Sequence, residues 1–217
     1  MKRNCTLLLT LALLCVIFCS SKPAGSKGHA YVDLGLSVKW ATMNIGASSP
    51  TEDGAYICWG ETAEKDSCSV WNYKWSDGFY WNRKYIKYGT EKFSMEKGDD
   101  PASAAWGGKW RLPTHAEQEE LRKECDWTWT DNFEGSGVSG YIVTSRKYKD
   151  RSIFLPASGD KLGTTVRSHA ARGFYFSSTM LEGYEIGACT LMFDSNTVDW
   201  IYSYRYYGHS MRPVIGK

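Results

Sequence analysis

The chain opens with Lys2 and Arg3, followed by an uncharged, largely apolar run over residues 5–18. That run is too short to cross a bilayer comfortably as a helix, and with its basic start it has the anatomy of a signal peptide over residues 1–18. Cys19 stands directly after the apolar core and before Ser20, Ser21 and Lys22. This placement predicts a lipid-modified cysteine more readily than plain secretion or an uncleaved anchor, although Phe18 is bulky where a small residue is usual. Residues 19–28, rich in Ser, Gly and Lys, then read as a lipidated tether, and the folded domain is expected over residues 29–217.

Within the domain, the pattern over 30–35 and 36–41 predicts two short strands meeting at Gly35, and 55–59 a third. Residues 61–98 are polar, aromatic and irregular, which predicts a long loop or insert. Thr114 and Glu117 form a capping box after Pro113, and Glu119 stands four residues before Lys123, so a helix is expected from there to near Cys125. A shorter helix is expected over 101–106, with Asp99 and Asp100 as cap residues, Pro101 in the first turn, and Gly107-Gly108 as its stop. Beyond Asp126 the pattern predicts strand after strand: 127–130, 141–145, 152–156, 174–178, 186–194, 197–204 and 210–214. Val198, Trp200, Tyr202 and Tyr204 alternate with Asp199, Ile201, Ser203 and Arg205, and Asp194-Ser195-Asn196 supplies turn chemistry before them. The fold class is therefore α+β, with two helices packed on irregular antiparallel sheets in a loop-rich chain.

Composition narrows the function. Loss of Lys2 and Arg3 with a signal peptide leaves 24 basic residues against 24 acidic ones, and no long run of like charge occurs, so phosphate neutralisation and nucleic-acid binding are not expected. The domain holds Cys58, Cys68, Cys125 and Cys189, an even number that allows three full pairings. Cys58 and Cys68 are close enough for a local staple, while buried free thiols suit Cys125 and Cys189 equally well. No Cys-x-x-Cys pair or Cys/His cluster supports a structural zinc site, and no cofactor is expected. The histidines His29, His115, His169 and His209 are scattered without a Ser or Cys motif that would make any of them a base.

Several motifs in fixed order carry a resemblance. They are Tyr31-Val32-Asp33-Leu34-Gly35-Leu36-Ser37-Val38-Lys39-Trp40-Ala41-Thr42, Trp59-Gly60-Glu61-Thr62, Trp106-Gly107-Gly108-Lys109-Trp110-Arg111-Leu112-Pro113-Thr114, Ile153-Phe154-Leu155-Pro156-Ala157, the segment 174–178, and Arg205-Tyr206-Tyr207-Gly208-His209-Ser210-Met211-Arg212-Pro213-Val214. From about Tyr31 to Val214 the chain resembles the Fibrobacter succinogenes major paralogous domain found in many Bacteroidetes surface lipoproteins. The resemblance implies a C-type-lectin-like fold, shared with formylglycine-generating enzymes, and an address at the outer membrane or cell surface. It implies no defined activity. The formylglycine-generating relatives use a redox or copper-binding cysteine pair, which here would require Cys125 and Cys189 to meet. Calcium-dependent sugar binding in the lectin fold uses Glu-Pro-Asn or Gln-Pro-Asp with Trp-Asn-Asp, and none of these tripeptides occurs.

Two stretches remain as binding candidates. The corner of Trp106, Trp110, Arg111, Pro113 and Thr114 reads first as packing, with Arg111 satisfying buried carbonyls, and Asp99 and Asp100 read as helix caps rather than calcium ligands. The segment 173–208 has the composition of a paratope, in which Tyr and Trp give rigid contact area and Ser, Asn and Asp give adaptable hydrogen bonds. A ligand-binding face of Tyr175, Tyr184, Trp200, Tyr202, Tyr204 and Tyr206 is expected, recognising a protein or a glycan. Period-two alternation also reads Phe174, Phe176 and Trp200 as core. The variable proteins of diversity-generating retroelements, which share the lectin-like fold and display a mutable C-terminal face, are an alternative with similar bias. A structural envelope lipoprotein is another; an enzyme is not expected.

Overall fold

The computed structural model describes residues 29–77, 84–89 and 91–217. The expected signal peptide, the lipidation site Cys19 and the tether to residue 28 lie outside the described residues. The chain is α+β, made mostly of antiparallel sheet with two short helices. In order it runs β1 (Tyr31–Val32), β2 (Val38–Ala41), β3 (Ile57–Cys58), β4 (Ser76–Asp77), β5 (Lys84–Tyr85), α1 (Pro101–Trp106), α2 (His115–Glu124), β6 (Cys125–Thr130), β7 (Gly140–Ser145) and β8 (Ser152–Pro156). There follow β9 (Asp160–Leu162), β10 (Thr165–Arg167), β11 (Arg172–Met180), β12 (Gly187–Asp194), β13 (Val198–Tyr204), β14 (Gly208–His209) and β15 (Val214–Gly216).

Both helices start where their cap chemistry requires. Asp100 Oδ1 accepts from the backbone N–H groups of Ala102 and Ser103 at 2.8 and 3.0 Å, and its Oδ2 accepts from Leu112 N at 2.8 Å, so one carboxylate caps α1 and pins the following corner. Gly107, at φ +67°, ends the helix in a conformation that a side chain would disfavour. At α2, Thr114 Oγ1 accepts from Glu117 N at 3.2 Å while Glu117 Oε2 accepts from Thr114 N at 2.8 Å, completing the capping box. Arg111 forks onto Glu117 at 2.8 and 2.6 Å and donates to Leu112 O at 3.0 Å, so its charge is engaged with a carboxylate as well as a carbonyl.

The sheet β11-β12-β13 divides the interior. Facing residues of an antiparallel ladder share a side, so Tyr175 with Leu191, and Phe193, project one way, while Phe176 with Thr190, and Ala188, project the other. The first set joins a core with Leu121 of α2, Tyr141 and Val143 of β7, and Trp40 and Val214. The second joins Ile57, Trp59, Trp110, Leu112 and Met211. A third, small cluster gathers Cys58, Cys68 and Tyr73. The sheet β1-β2-β15 brings the two ends of the domain side by side, with Trp40 opposite Val214. The order β10-β9-β14-β3 sets the β9–β10 hairpin against β14.

Two arginines are fully buried. Arg212 donates to Asn44 Oδ1 at 2.8 Å, Ala41 O at 3.1 Å and Phe154 O at 2.9 Å. Burial pulls its pKa down to about 10, which still leaves it charged at neutral pH. Arg205 donates to Tyr73 Oη, Glu185 O and Lys87 O at 2.9, 3.0 and 2.8 Å, with the rings of Trp59 and Tyr85 at 5.1 and 4.8 Å.

The expected strand at 210–214 is a correction. That stretch is extended but unpaired apart from isolated bridges, and pairing falls instead on β14 before it and β15 at its end. Its side chains are spoken for by Arg212 and by Ser210, whose Oγ donates to Asp53 O at 2.9 Å. The β9–β10 hairpin was not expected, because Gly159-Asp160-Lys161 offers no alternation to mark it.

Replacing Arg212 with Met leaves three buried acceptors without donors, at about 1–3 kcal/mol each before relaxation. Urea unfolding of Arg212→Met is therefore expected to show stability lower by about 3 kcal/mol or more, with an unchanged denaturant slope.

Candidate functional site

β13 is an outer strand, and its alternation sets one row of aromatics along the sheet edge. Trp200 packs edge-on against His115 of α2, with ring centroids 4.9 Å apart. Tyr202 touches both Trp200 at 5.0 Å and Tyr184 at 5.4 Å. Tyr204 stacks on Tyr206 at 5.2 Å and meets Tyr207 at 5.3 Å. The turn is closed by Tyr207 N donating to Tyr204 O at 3.0 Å. The result is a strip of two ring clusters, Trp200–Tyr202–Tyr184 and Tyr204–Tyr206–Tyr207, whose outermost rings, Tyr184 and Tyr204, are 37% and 40% exposed.

Five of the six expected site residues thus come together, and one does not. Tyr175 is 1% exposed and donates from its hydroxyl to Pro156 O at 2.8 Å, deep in the first core. It points to the α2 side of a sheet strand whose both faces are covered, so it is a structural residue, and burial raises its phenol pKa to about 12. Trp200 is only partly buried, on the strip but leaning on α2. Phe176 is core as expected, whereas Phe174 is half-buried and lines a cavity.

That cavity, of about 390 Å³, opens beside the tyrosine turn between β13 and the β9–β10 hairpin. Phe174, Ile201 and His209 line it, with Tyr204 and Tyr207 on one side and Arg172 on another. Arg167 is paired with Asp160 and lies over the Tyr207 ring at 4.8 Å. Arg172 is exposed and, among the described residues, forms no ion pair, so it is the cavity's uncommitted cation. The sequence reading missed Arg172, Tyr207 and His209. The one signal for the last two was their place in the Arg205-Tyr206-Tyr207-Gly208-His209 motif.

His209 is fully buried, stacked on Phe176 at 4.1 Å, and hydrogen-bonded through Nε2 to Ser203 Oγ at 3.1 Å. A hydroxyl and an imidazole in contact invite comparison with a nucleophile and its base. Two features argue against that chemistry. Nδ1 is buried with no partner among the described residues, so no acceptor there stabilises an imidazolium. Burial, with Arg167 nearby, also drives the pKa to about 3, far below that of a working base. The pair instead forms a neutral polar floor.

A second cavity, of about 430 Å³, lies at the Trp110, Arg111 and Thr114 corner. Asp100 is engaged in three backbone bonds and Arg111 with Glu117, while Lys97 and Lys109 also line the cavity and form no ion pair among the described residues. Among the described residues, no three His, Cys, Asp or Glu side chains converge as metal ligands. Cys125 and Cys189 are buried free thiols, each raised to about 11 by burial; Cys125 closes α2 while Cys189 stands opposite Tyr202 on β12.

His209 makes stability depend on acid. Its folded value of about 3 lies below the ordinary 6.5, so the unfolded chain takes up the proton first. The contribution is whole above about pH 6.5 and is lost as pH falls towards 3, at up to about 1.4 kcal/mol per pH unit. Denaturation from pH 7 to 4 is expected to show a shallower loss in His209→Gln than in the native protein, with His29 and His115, also lowered by burial, setting what remains.

No protein-family model, curated protein or solved structure matches this chain.

Proposed function

We propose that this protein is a non-catalytic binding or adhesion module of the major paralogous domain type, exported and tethered by lipid on Cys19, whose ligand docks on the tyrosine strip and its adjoining cavity. The observation that carries this reading is the placing of two aromatic clusters, Trp200–Tyr202–Tyr184 and Tyr204–Tyr206–Tyr207, along β13 and its following turn, next to a cavity with an uncommitted Arg172. Aromatic faces beside hydrogen-bonding groups suit the two-sided surface of a sugar, apolar on its C–H faces and polar at its rim. A glycan is therefore favoured over a protein as ligand. The C-type-lectin-like fold is part of the proposal; it is supported by the pairing of β2 with β15, which closes the domain on itself, and by the two helices set against antiparallel sheet. Outer-membrane or surface placement is part of the proposal; the family resemblance implies it, and the signal segment and Cys19 in the sequence support export and lipid anchoring.

Screening the purified chain on a glycan array and against bacterial and host surface proteins, with calcium and with chelator, tests the reading. A chelator-insensitive glycan hit is expected. Binding to proteins alone would reassign the ligand, loss with chelator would reinstate a metal, and silence from folded protein would count against a binding role.

Substitution of Tyr184, Tyr202, Tyr204 and Tyr206 together by Ser is expected to abolish capture while thermal midpoint moves by only a few degrees. Tyr175→Phe is expected to do the reverse, costing about 1 kcal/mol through loss of the hydroxyl's bond to Pro156 O while leaving capture intact.

A further inference from the structure

Beneath the tyrosine turn, two cysteines meet. β3 pairs with β14 so that Cys58 stands opposite Gly208. Opposite residues of an antiparallel pair project to one face, with Cβ positions about 4.5–5.5 Å apart. Gly208 has no Cβ, and the sulfur of Cys68 fills that space, 2.7 Å from where one would sit. Cys68 is held there by its backbone, which donates to Gly163 O at 2.8 Å and accepts from Gly163 N at 2.6 Å. Both sulfurs lie in one small buried cluster with Tyr73, where the Cys58 thiol donates to Tyr206 O at 3.4 Å and the Cys68 thiol to Tyr56 O at 3.9 Å. Cys125 belongs to the first core and Cys189 lies opposite Tyr202, so neither shares this cluster.

We propose that Cys58 and Cys68 are joined as a disulfide when the chain folds in the presence of a disulfide donor, stapling the segment 58–68 under the turn at 204–208. The donor is a protein or low-molecular-weight disulfide, and the reaction is two thiol–disulfide exchanges. The Cys68 thiolate attacks one donor sulfur, breaking the donor S–S bond and releasing one donor thiolate. The Cys58 thiolate then attacks the Cys68 sulfur of the mixed disulfide and releases the second. Both protons lost by the cysteines pass to the two donor thiolates, so the protein dithiol is oxidised and the donor reduced by two electrons. The order of attack follows from the surroundings. The neighbouring Cys58 thiol, together with Lys161 and Lys65, favours the thiolate of Cys68, whereas the neighbouring Cys68 and burial hold the Cys58 thiol up. The covalent tie replaces a weak contact from Cys58 Sγ to Tyr206 O, at 3.4 Å, with a fixed support for the residues of the candidate site.

Lys65 lies between the two cysteines, so trypsin separates them into peptides 40–65 and 66–74 unless a disulfide holds them together. The full-length protein, equilibrated in its folded state with mixtures of reduced and oxidised glutathione, would be unfolded in alkylating agent, digested and mapped by mass spectrometry. The linked pair 40–65 and 66–74 is expected, with Cys125 and Cys189 alkylated, and the oxidised protein should melt on the order of 5 °C above the reduced one. Alkylation of both Cys58 and Cys68 in every oxidised mixture, or linkage of either to Cys125 or Cys189, would overturn the proposal. In Cys58→Ala, Cys68 should be recovered alkylated or as a glutathione adduct; its transfer to another protein cysteine would also count against the pairing. The mapping of the native chain decides the matter even if that variant folds poorly.

Discussion

The arrangement hangs on two buried guanidinium groups that have no carboxylate within ion-pair reach among the described residues, Arg205 and Arg212. An isolated charge in a protein interior is costly unless every donor finds an acceptor and the surroundings are polarisable. Arg212 meets the requirement with an amide and two main-chain carbonyls drawn from β2, β8 and the loop between β2 and β3. Arg205 meets it with a phenol, two carbonyls and the π-faces of Trp59, Tyr73, Tyr85 and Tyr88. A lysine would satisfy neither place, since only a planar fork presents donors in several fixed directions at once. Seven residues apart on one segment, the two arginines draw the polar, aromatic insert and the N-terminal strands onto the C-terminal part of the chain.

The candidate site follows from that anchoring. Arg205 ends β13, so the residues on either side of it, Tyr204 and Tyr206, are delivered to the surface from a backbone that cannot drift. β11 and β12 are covered on both faces and spend their aromatics on packing, as Tyr175 and Phe176 do. β13, at the edge, has only part of each face covered, and its aromatics shade from Trp200 against α2 to the exposed Tyr204. A gradient from core to solvent along one strand lets a single alternating pattern supply both packing and a contact surface.

Much of the secondary structure was legible because it is written locally. Caps at Asp100 and Thr114 and the stop at Gly107 involve neighbours in sequence, and both helices fall where those residues place them. Tyr175 was misassigned because it and Tyr202 share a face of the same sheet; period two reports the face, but not how far along it the covering helix and sheet extend. The hairpin β9–β10 and the cavity it borders were invisible because they depend on a pairing of β9 with β14, nearly fifty residues on. The contact of Ser203 with His209 depends on a turn whose shape is set by Arg205, and the apposition of Cys58 and Cys68 depends on a glycine at position 208. Chemistry carried by sequence-distant partners leaves no periodic trace.

The pairing of β15 with β2 sets the timetable of folding. Trp40 pairs with Val32 nearby but also needs Val214, Val38 pairs with Gly216, and Ala41 and Asn44 wait for the guanidinium of Arg212. A chain emerging from the N-terminal end therefore has no complete core to offer until residues 212–216 have been released. Such long-range closure makes folding slow and late relative to synthesis. It makes the segment 212–216 the latch on which the domain shuts.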